Sequence, residues 1–482
     1  MSLVKVQNFI NGEFVESAKY LDSFDPSTGE VWAKIPDSDQ MDVDNAVMAA
    51  RNAFLSWSST PVQERSRILL KVADILESRL DEFAELESHD QGKPVWLTKS
   101  MDIPRAVFNF RFFATCALHD LNRSNQMQAL DAFNYTIKMP VGVAGLISPW
   151  NLPLYLLTFK VAPALICGNT VVAKPSEMTS VTAWKLGEVC NAGGLPPGVL
   201  NFVFGTGPSA GEAIVKHPDV PIVSFTGGTV TAVKLRIAAA PFSKKMSLEL
   251  GGKNPAVIFN DADFEKCVAT TVRSSFTNQG EICLCTSRIY VQSGIYQKFL
   301  ERFVQEAKKL VVGDPKSPDS FMGALISKEH LAKVRGYVDI ARQEGATILC
   351  GDEPLNLPER NKQGYFMRPT VISEVKDSSR LITEEIFGPV VVVVPFDTMA
   401  EVIERANSVK YGLAATVWSS DVSTLHTVSQ KLHAGTVWAN CWMVRDLNMP
   451  FGGMKESGTG RESAKDSIEF FTEEKTICVK LS

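Results

Sequence analysis

The first strong pattern along the chain is helical. Apolar residues recur at the spacing of one helix face over residues 68–80, and Gly92 follows as a stop signal. Thr60, Pro61 and Gln63 precede the run as an N-cap residue, a first-turn proline and the acceptor of a capping box. The pattern predicts a helix that begins next to Thr60 and ends before Gly92.

The pattern changes near residue 140. Short apolar runs then alternate with helical segments, and each run ends in Gly, Pro or Ser, as in VGVAGLISP, TVVAKPS, LNFVFGTG and PIVSFTGG. This alternation is typical of parallel strands that are covered by helices. A second series of strands and helices runs from about residue 252 to about residue 440. We therefore predict an α/β protein with two domains.

The domain boundary has to be placed by pattern, because no internal repeat or low-complexity linker marks it. The prediction assigns 1–119 and 141–250 to the first domain and 251–450 to the second. Residues 120–140 and 465–482 contain the alternating stretches NYTIKM and KTICVKL. We expect these two segments to pair as an arm outside both domains, and two ordinary edge strands are the alternative.

Composition excludes several classes of function. The 482 residues carry a formal net charge of -5 with both signs interspersed, so the chain lacks the basic face that a nucleic acid requires. The most apolar stretches are too short, or too interrupted by Pro, Asn and Gly, to cross a bilayer, and the N-terminus lacks the apolar core of a signal peptide. Nine scattered cysteines, an odd number, indicate reduced thiols. We expect a cytoplasmic protein that binds neither nucleic acid nor membrane.

Two cysteines stand one residue apart in NQGEICLCTS, residues 278–287. A zinc site needs three or four ligands, and no histidine flanks Cys283 or Cys285. A disulfide between residues two apart would be strained. Packing as a small apolar residue is the common role of a free cysteine, yet the polar, glycine-containing approach favours an accessible thiol. The residues of this stretch leave packing and catalysis both open.

Two further segments carry candidate reactive groups. Glu249 lies among apolar residues in SLELGGKNP, and a carboxylate in such surroundings has a raised pKa and can act as a base near neutral pH. An ion-paired glutamate at a strand end is the alternative. Asn151 in SPWNLP could donate a hydrogen bond from its side-chain amide to an oxyanion. The alternative is that its side chain hydrogen-bonds to the backbone of its own turn.

A dinucleotide is indicated by the segments at the ends of the predicted strands. Lys174 and Glu177 in VVAKPSE follow a strand, where doubly wound sheets bind ligands, and an acidic residue there suits two ribose hydroxyls rather than a 2′-phosphate. A solvated Lys–Glu pair is the alternative. FGTGPSAG departs by one residue from the usual fingerprint, and FTGG before a helix offers free amides to a phosphate. These features favour NAD over NADP.

Together these segments resemble one family. PWNLP, KPSE, FTGG, LELGGKNP, NQGEIC, EEIFGPV and PFGGMKESGTGRE occur in the order that they have in NAD(P)-dependent aldehyde dehydrogenases, and the resemblance covers essentially the whole chain. It implies a Rossmann-type NAD-binding domain, an α/β catalytic domain and a small β oligomerisation arm, in a homodimer or homotetramer. It also implies NAD-dependent oxidation of an aldehyde to a carboxylic acid through a cysteine thioester, without a metal.

The resemblance also assigns roles by position in the motifs. It implies Cys283 as the nucleophile, Glu249 as the general base, and Asn151 with the Cys283 backbone N–H as the oxyanion hole. The implied cofactor contacts are Trp150, Lys174, Glu177, Gly207, Gly211, Thr226, Gly227, Gly228, Glu385 and Phe387. Many members have Ser where this chain has Gly228, so we expect weaker binding of the cofactor phosphates.

Two arginines bear on the choice of aldehyde. Arg105 and Arg445 lie among apolar residues, where a guanidinium group should face an anion. If both face one pocket, they would recognise a substrate carboxylate, and the alternative is that each pairs internally, with Asp102 and Asp446. The detailed resemblance is to a branch that oxidises a short unsaturated semialdehyde carrying a carboxylate. Retinal ranks second, and a structural protein of the lens-crystallin kind ranks lower because the reactive residues are all retained.

Overall fold

The computed structural model describes residues 3–481. Its strands are β1 (Val4–Lys5), β2 (Asn8–Ile10), β3 (Glu13–Val15), β4 (Tyr20–Phe24), β5 (Val31–Pro36), β6 (Ser124–Met127), β7 (Ala132–Pro140), β8 (Val143–Ile147), β9 (Thr170–Lys174), β10 (Leu200–Phe202), β11 (Ile222–Thr226), β12 (Lys245–Glu249), β13 (Asn254–Ile258), β14 (Thr286–Gln292), β15 (Thr347–Cys350), β16 (Thr370–Ser373), β17 (Val390–Phe396), β18 (Tyr411–Gly412), β19 (Ala414–Trp418), β20 (Thr436–Ala439), β21 (Met454–Lys455), β22 (Gly458–Thr459) and β23 (Thr472–Lys480).

The helices of the same range alternate with these strands. They are α1 (Gln40–Ser59), α2 (Val62–Ser78), α3 (Leu80–Gln91), α4 (Val95–Leu97), α5 (Ile103–Cys116), α6 (Pro153–Ile166), α7 (Val181–Gly193), α8 (Glu212–Lys216), α9 (Thr229–Ala239), α10 (Phe264–Phe276), α11 (Ser293–Lys309), α12 (Lys328–Gln343), α13 (Arg380–Thr383), α14 (Met399–Asn407), α15 (Val422–Lys431) and α16 (Ala464–Phe471). No helix within the described range is long and apolar enough to span a membrane.

Five parallel strands form the centre of an eight-stranded sheet. The spatial order is β22-β12-β11-β8-β9-β10-β2-β3, and the pairings from β12 to β10 are parallel. The chain starts at β8, adds β9 and β10 on one side, and then adds β11 and β12 on the other. The reversal between β8 and β11 is the topological switch point of a doubly wound sheet, beyond whose carboxyl ends ligands bind. The predicted α/β fold class is confirmed.

A second sheet of seven strands has the order β15-β16-β17-β14-β13-β19-β20. All its pairings are parallel except that of the edge strand β15. Residues 250–253 alone connect β12 of the first sheet to β13 of the second. The carboxyl end of β12 therefore lies close to the amino end of β13, and the loops between the two sheets meet there.

Two helices occupy the run for which one was predicted. Arg79 leaves helical geometry, at φ -108° and ψ 20°, so that α2 ends and α3 begins beside it. The predicted cap was wrong as well, because Pro61 occupies the N-cap position and no side chain caps α2. The hydroxyl of Thr60 donates instead to the carbonyl of Ser56 at the end of α1. Gly92 ends α3 in the left-handed conformation, at φ 90°.

Three strands form a small sheet apart from the two larger ones, in the order β23-β7-β6. β7 pairs antiparallel with β23 from Pro140 opposite Thr472 to Ala132 opposite Lys480. The preceding helix α16 is not part of this sheet, because Ile468 packs in the core of the first sheet. β23 forms one edge of the small sheet.

Candidate active site

A cavity of about 270 Å³ lies at the switch point, between the two large sheets. Loops that follow β8 and β11 form one wall, and loops that precede β14 and β17 form the other. The structure therefore brings together groups from both domains. The predicted site residues that line the cavity are Trp150, Asn151, Thr226, Gly227, Gly228, Cys283, Glu385 and Phe387.

The loop that carries Cys283 has an unusual backbone. Asn278, Gln279 and Gly280 all have positive φ angles, of 52°, 56° and 73°. A side chain at Gly280 would overlap the carbonyl oxygen of Gly388 in the loop before β17. The two loops that line the cavity from the second sheet thus press directly against each other, and only glycine allows this approach.

Replacing Gly280 with alanine is expected to lower the free energy of unfolding by about 2 to 4 kcal/mol, because it adds both left-handed strain and an overlap. Gly345 is the matched control, since it has a φ of 77° but a methyl group added there would meet no atom within 4 Å. Its alanine variant should lose only about 1 kcal/mol. Urea unfolding measures both, and equal losses would contradict the close approach.

Side chains from distant segments hold the carbonyl groups of the cysteine loop. The Asn254 amide donates to the carbonyls of Cys283 and Cys285 at 2.7 and 2.9 Å. The Trp442 indole donates to the carbonyl of Leu284 at 3.0 Å. These bonds fix the backbone from Cys283 to Cys285.

The structure separates the two cysteines of the loop. Cys283 lines the cavity, whereas the buried Cys285 thiol faces the carbonyl of Thr277 at 3.8 Å. Burial, together with the nearby carboxylates of Glu249 and Glu385, raises the pKa of the Cys283 thiol to about 12. A thiol in this setting requires a proton acceptor before it can attack a carbonyl.

Asn151 is held by Lys93 and by two residues of the cysteine loop. Its backbone carbonyl accepts bonds from the Lys93 ammonium at 2.8 Å and from the Asn278 amide at 3.0 Å. Its side-chain amide donates one bond to the carbonyl of Glu281 at 2.9 Å. Lys93 in turn forms a fully buried ion pair with Asp102 at 2.6 Å. These bonds fix the Asn151 backbone and side chain, so the second N–H of its amide has a defined direction.

Glu249 ends β12 and is almost completely buried. Neither of its carboxylate oxygens has a hydrogen-bond partner within residues 3–481, so the expected alternative of an ion pair is not observed. A Cβ placed on Gly452 would lie 2.8 Å from its Oε1 atom, which brings the carboxylate against the PFGG loop. Burial raises the pKa of Glu249 well above its usual range, Glu462 raises it further, and Lys160 opposes both.

The predicted contacts to the adenosine end lie apart from this cavity. Lys174, at the end of β9, is buried, and its ammonium lies 3.2 Å from the Glu177 carboxylate. A Cβ on Gly211 would lie 3.5 Å from the Lys174 side chain, and Gly207 has open space around it. The Lys–Glu pair is thus present, but with a buried lysine rather than a solvated one.

Three aromatic rings form one corner of the cavity. The Trp150 ring stands edge-on to those of Phe387 and His330, with centroids 5.4 and 5.2 Å away. His330 Nε2 lies 2.7 Å from the carbonyl of Phe387, whose φ of 61° is left-handed. Glu385 accepts a bond from the backbone N–H of Gly252 at 2.9 Å. A flat ring and a sugar could be held at this corner.

Arg105 and Arg445 converge, although neither lines the cavity itself. Arg445 Nη1 lies 3.4 Å from the hydroxyl of Tyr155, and the Arg105 guanidinium lies 5.1 Å from the centre of the same ring. The internal pairs considered above are not observed, because Asp102 pairs with Lys93 and Asp446 accepts bonds from Asn448. Neither arginine has a carboxylate partner within residues 3–481.

Several residues at the site were not found from the sequence. Some of them are distant in sequence from the motifs, whereas Asn254 and Tyr155 stand in or next to a motif without a feature that indicates their contacts. The clearest signal that could have been used is Lys93 in GKP, a lysine directly after the end of a helix with no acidic residue beside it. These residues are Lys93, Asp102, Tyr155, Asn254, His330 and Lys333.

This chain belongs to the aldehyde dehydrogenase family, whose model matches residues 14–477. The chain is 61% identical over 481 residues to 2-aminomuconic semialdehyde dehydrogenase of Homo sapiens, covering 99% of both chains. It is 45% identical to 2-hydroxymuconic semialdehyde dehydrogenase of a Pseudomonas species, covering 99% and 100%. Among solved structures, the NAD+ complex of a Bacillus cereus aldehyde dehydrogenase matches with a TM-score of 0.96 and 39% identity, covering 99% and 97%.

Proposed function

We propose that this enzyme oxidises 2-aminomuconate 6-semialdehyde, a short unsaturated aldehyde with a carboxylate, using NAD. The observation that carries the proposal is the pair of guanidinium groups, Arg105 and Arg445, that meet at Tyr155 without a carboxylate partner in the described chain. The names of the relatives at about 60% identity support it. The metabolic route that we propose for this reaction is the kynurenine pathway of tryptophan catabolism. 2-Hydroxymuconate semialdehyde carries the same anion and is the second candidate.

Retinal ranks below both semialdehydes. A long apolar retinoid would bring no anion to Arg105 and Arg445, and it would leave two desolvated guanidinium groups uncompensated. A purely structural protein ranks lowest, since Cys283, Glu249 and Asn151 are all retained in the chain.

The proposed reaction begins at Cys283. Its thiol proton passes to the Glu249 carboxylate, whose raised pKa makes it a stronger base than an ordinary carboxylate. The sulfur attacks the aldehyde carbon, a C–S bond forms, and the carbonyl electron pair moves to the oxygen. The amide of Asn151 and the backbone N–H of Cys283 hold this oxyanion, and losing one such donor costs about 3 kcal/mol of barrier.

Hydrolysis completes the proposed cycle. A bound NAD would supply the hydride acceptor. As the hydride leaves the former aldehyde carbon, the oxyanion electron pair would re-form the carbonyl group of the Cys283 thioester. Glu249, after releasing its first proton to solvent, takes a second proton from a water molecule that attacks the thioester carbonyl. The C–S bond breaks, its electron pair returns to the sulfur of Cys283, and the carboxylic acid leaves.

The residues at the switch point fit a dinucleotide. A Cβ on Gly228 would meet no atom within 4 Å, so the space beside the N-terminus of α9 is open to a phosphate. Glu177 suits the hydroxyls of a ribose and disfavours a 2′-phosphate, which supports NAD over NADP. Glu385, Phe387 and Trp150 are proposed to hold the nicotinamide end. Weaker phosphate binding through Gly228 stays a prediction.

We also propose a homodimer or homotetramer. Val230, Val233 and Ile237 form an apolar stripe on α9 and are 73%, 52% and 70% exposed. Such a stripe on a surface helix indicates a protein interface. The edge strand β23 of the small sheet would likewise be covered by a second copy. A cytoplasmic location is proposed from the nine free thiols.

Replacing Arg105 or Arg445 with glutamine tests the carboxylate proposal. Each variant should lower kcat/KM for 2-hydroxymuconate semialdehyde by roughly 10- to 100-fold, because a charged hydrogen bond to the substrate is lost. Oxidation of hexanal, which has no carboxylate, should change little. Steady-state NADH formation measures both reactions. Arg123→Gln, at an exposed arginine of the arm, is the control, and equal losses for the two aldehydes would contradict the proposal.

A further inference from the structure

We infer that Tyr155 sets the specificity for a carboxylated aldehyde by holding Arg105 and Arg445 as one clamp. The inference rests on the substrate class proposed above and adds a residue that acts through the two arginines. Tyr155 lies in the first turn of α6, one helical turn after Asn151, and it is only 4% exposed. The segment from Asn151 to Tyr155, which leads into α6, therefore contains both the predicted oxyanion donor and the residue that both arginines contact.

The phenol hydroxyl is the hydrogen-bond acceptor for Arg445. The Nη1 atom of Arg445 lies 3.4 Å from that oxygen, and its guanidinium group stacks 3.9 Å from the ring centre of Phe451. Arg445 comes from an irregular loop between β20 and β21, which does not itself fix a long side chain. The hydrogen bond to the Tyr155 hydroxyl therefore helps to orient the Arg445 side chain.

The second arginine of the clamp, Arg105, lies on α5. Arg105 lies over the ring of Tyr155 at 5.1 Å, and its Nε atom donates to the Asn109 amide oxygen at 3.1 Å. The Asn109 amide nitrogen donates in turn to the Tyr155 carbonyl and to the hydroxyl of Thr158, both at 3.0 Å. Because Nε is occupied, the terminal nitrogens are left for a ligand, and Nη2 is buried without a partner in the described chain.

An anion between the two guanidinium groups would relieve the repulsion between their charges. Burial lowers the pKa of Arg105, and the charge of Arg445 lowers it further, so each guanidinium group destabilises the other. A planar carboxylate can accept from two guanidinium groups at once and removes this repulsion. An uncharged aldehyde cannot do so, and the clamp therefore discriminates by charge rather than by size.

Tyr155→Phe keeps the ring and removes only the hydroxyl. We expect kcat/KM for 2-hydroxymuconate semialdehyde to fall about tenfold, mainly through KM, because Arg445 loses the acceptor that directs it. Values for hexanal should stay within about twofold, since the hydroxyl serves no group at the reacting carbon. Tyr296→Phe is the matched control, because it removes a hydroxyl bonded to the carbonyl of Val393 far from the site.

A double variant separates the clamp from a general packing role. If Tyr155 acts through Arg445, Tyr155→Phe combined with Arg445→Gln should lose no more activity than Arg445→Gln alone. Additive losses, or equal losses for the two aldehydes, would overturn the inference. Retained preference for the carboxylate in Tyr155→Phe, with preference lost in Arg445→Gln, would overturn it while leaving the proposed function intact. Preference retained in all arginine variants would overturn the proposed function itself.

Discussion

Cys283→Ala should abolish aldehyde oxidation, lowering kcat by roughly 10⁴-fold or more. The reason is chemical, since no other thiol within residues 3–481 lines the cavity and the proposed thioester cannot form without one. NADH formation in the steady state measures the loss, and mass spectrometry of the enzyme after mixing with substrate should show no acyl adduct.

Cys285→Ala is the natural control for that experiment. The Cys285 thiol is buried against the carbonyl of Thr277 and does not reach the cavity, so turnover should stay close to that of the unaltered enzyme. If Cys285→Ala were as inactive as Cys283→Ala, or if Cys283→Ala turned over normally, the assignment of the nucleophile would be wrong.

Glu249→Gln should lower kcat by about 10²- to 10⁴-fold with a largely intact fold, because glutamine has nearly the same shape but cannot accept a proton. Because Glu249 also accepts the Cys283 proton in the proposed first step, the first turnover of NADH should slow together with the steady state. Mass spectrometry of the variant mixed with substrate should therefore find little acyl group on Cys283. A first turnover at the rate of the unaltered enzyme would show that another group takes the thiol proton.

The pH dependence tests the same residue with a defined sign. Burial and Glu462 raise the pKa of Glu249, and a general base acts in its deprotonated form. Activity of the unaltered enzyme should therefore fall as the pH drops through this raised pKa, and it should recover as the pH rises. Glu249→Gln should lack this acidic limb. A variant with an unchanged pH profile would show that the limb belongs to another group.

The elements that were predicted well are those with a strong local pattern. The short apolar runs ending in Ile147, Lys174 and Thr226 are strands of one parallel sheet, because period and flanking turns are local properties. The helix break at Arg79 was missed, since the apolar spacing continues across it and only packing fixes the geometry there. The prediction that Thr60 caps α2 was wrong because Thr60 lies between two helices, and its hydroxyl donates to a carbonyl at the end of α1.

The chain alone predicts candidate reactive groups and their order, because a thiol, a carboxylate and an amide stand in motifs that resemble those of the family. It could not decide between a carboxylate clamp and internal ion pairs for Arg105 and Arg445. Those alternatives depend on which groups α5, α6 and the loop before β21 bring together, and Tyr155 and Arg445 stand 290 residues apart in the sequence. Side-chain direction over such a separation is set by packing. Tertiary structure alone placed Tyr155 between the two arginines.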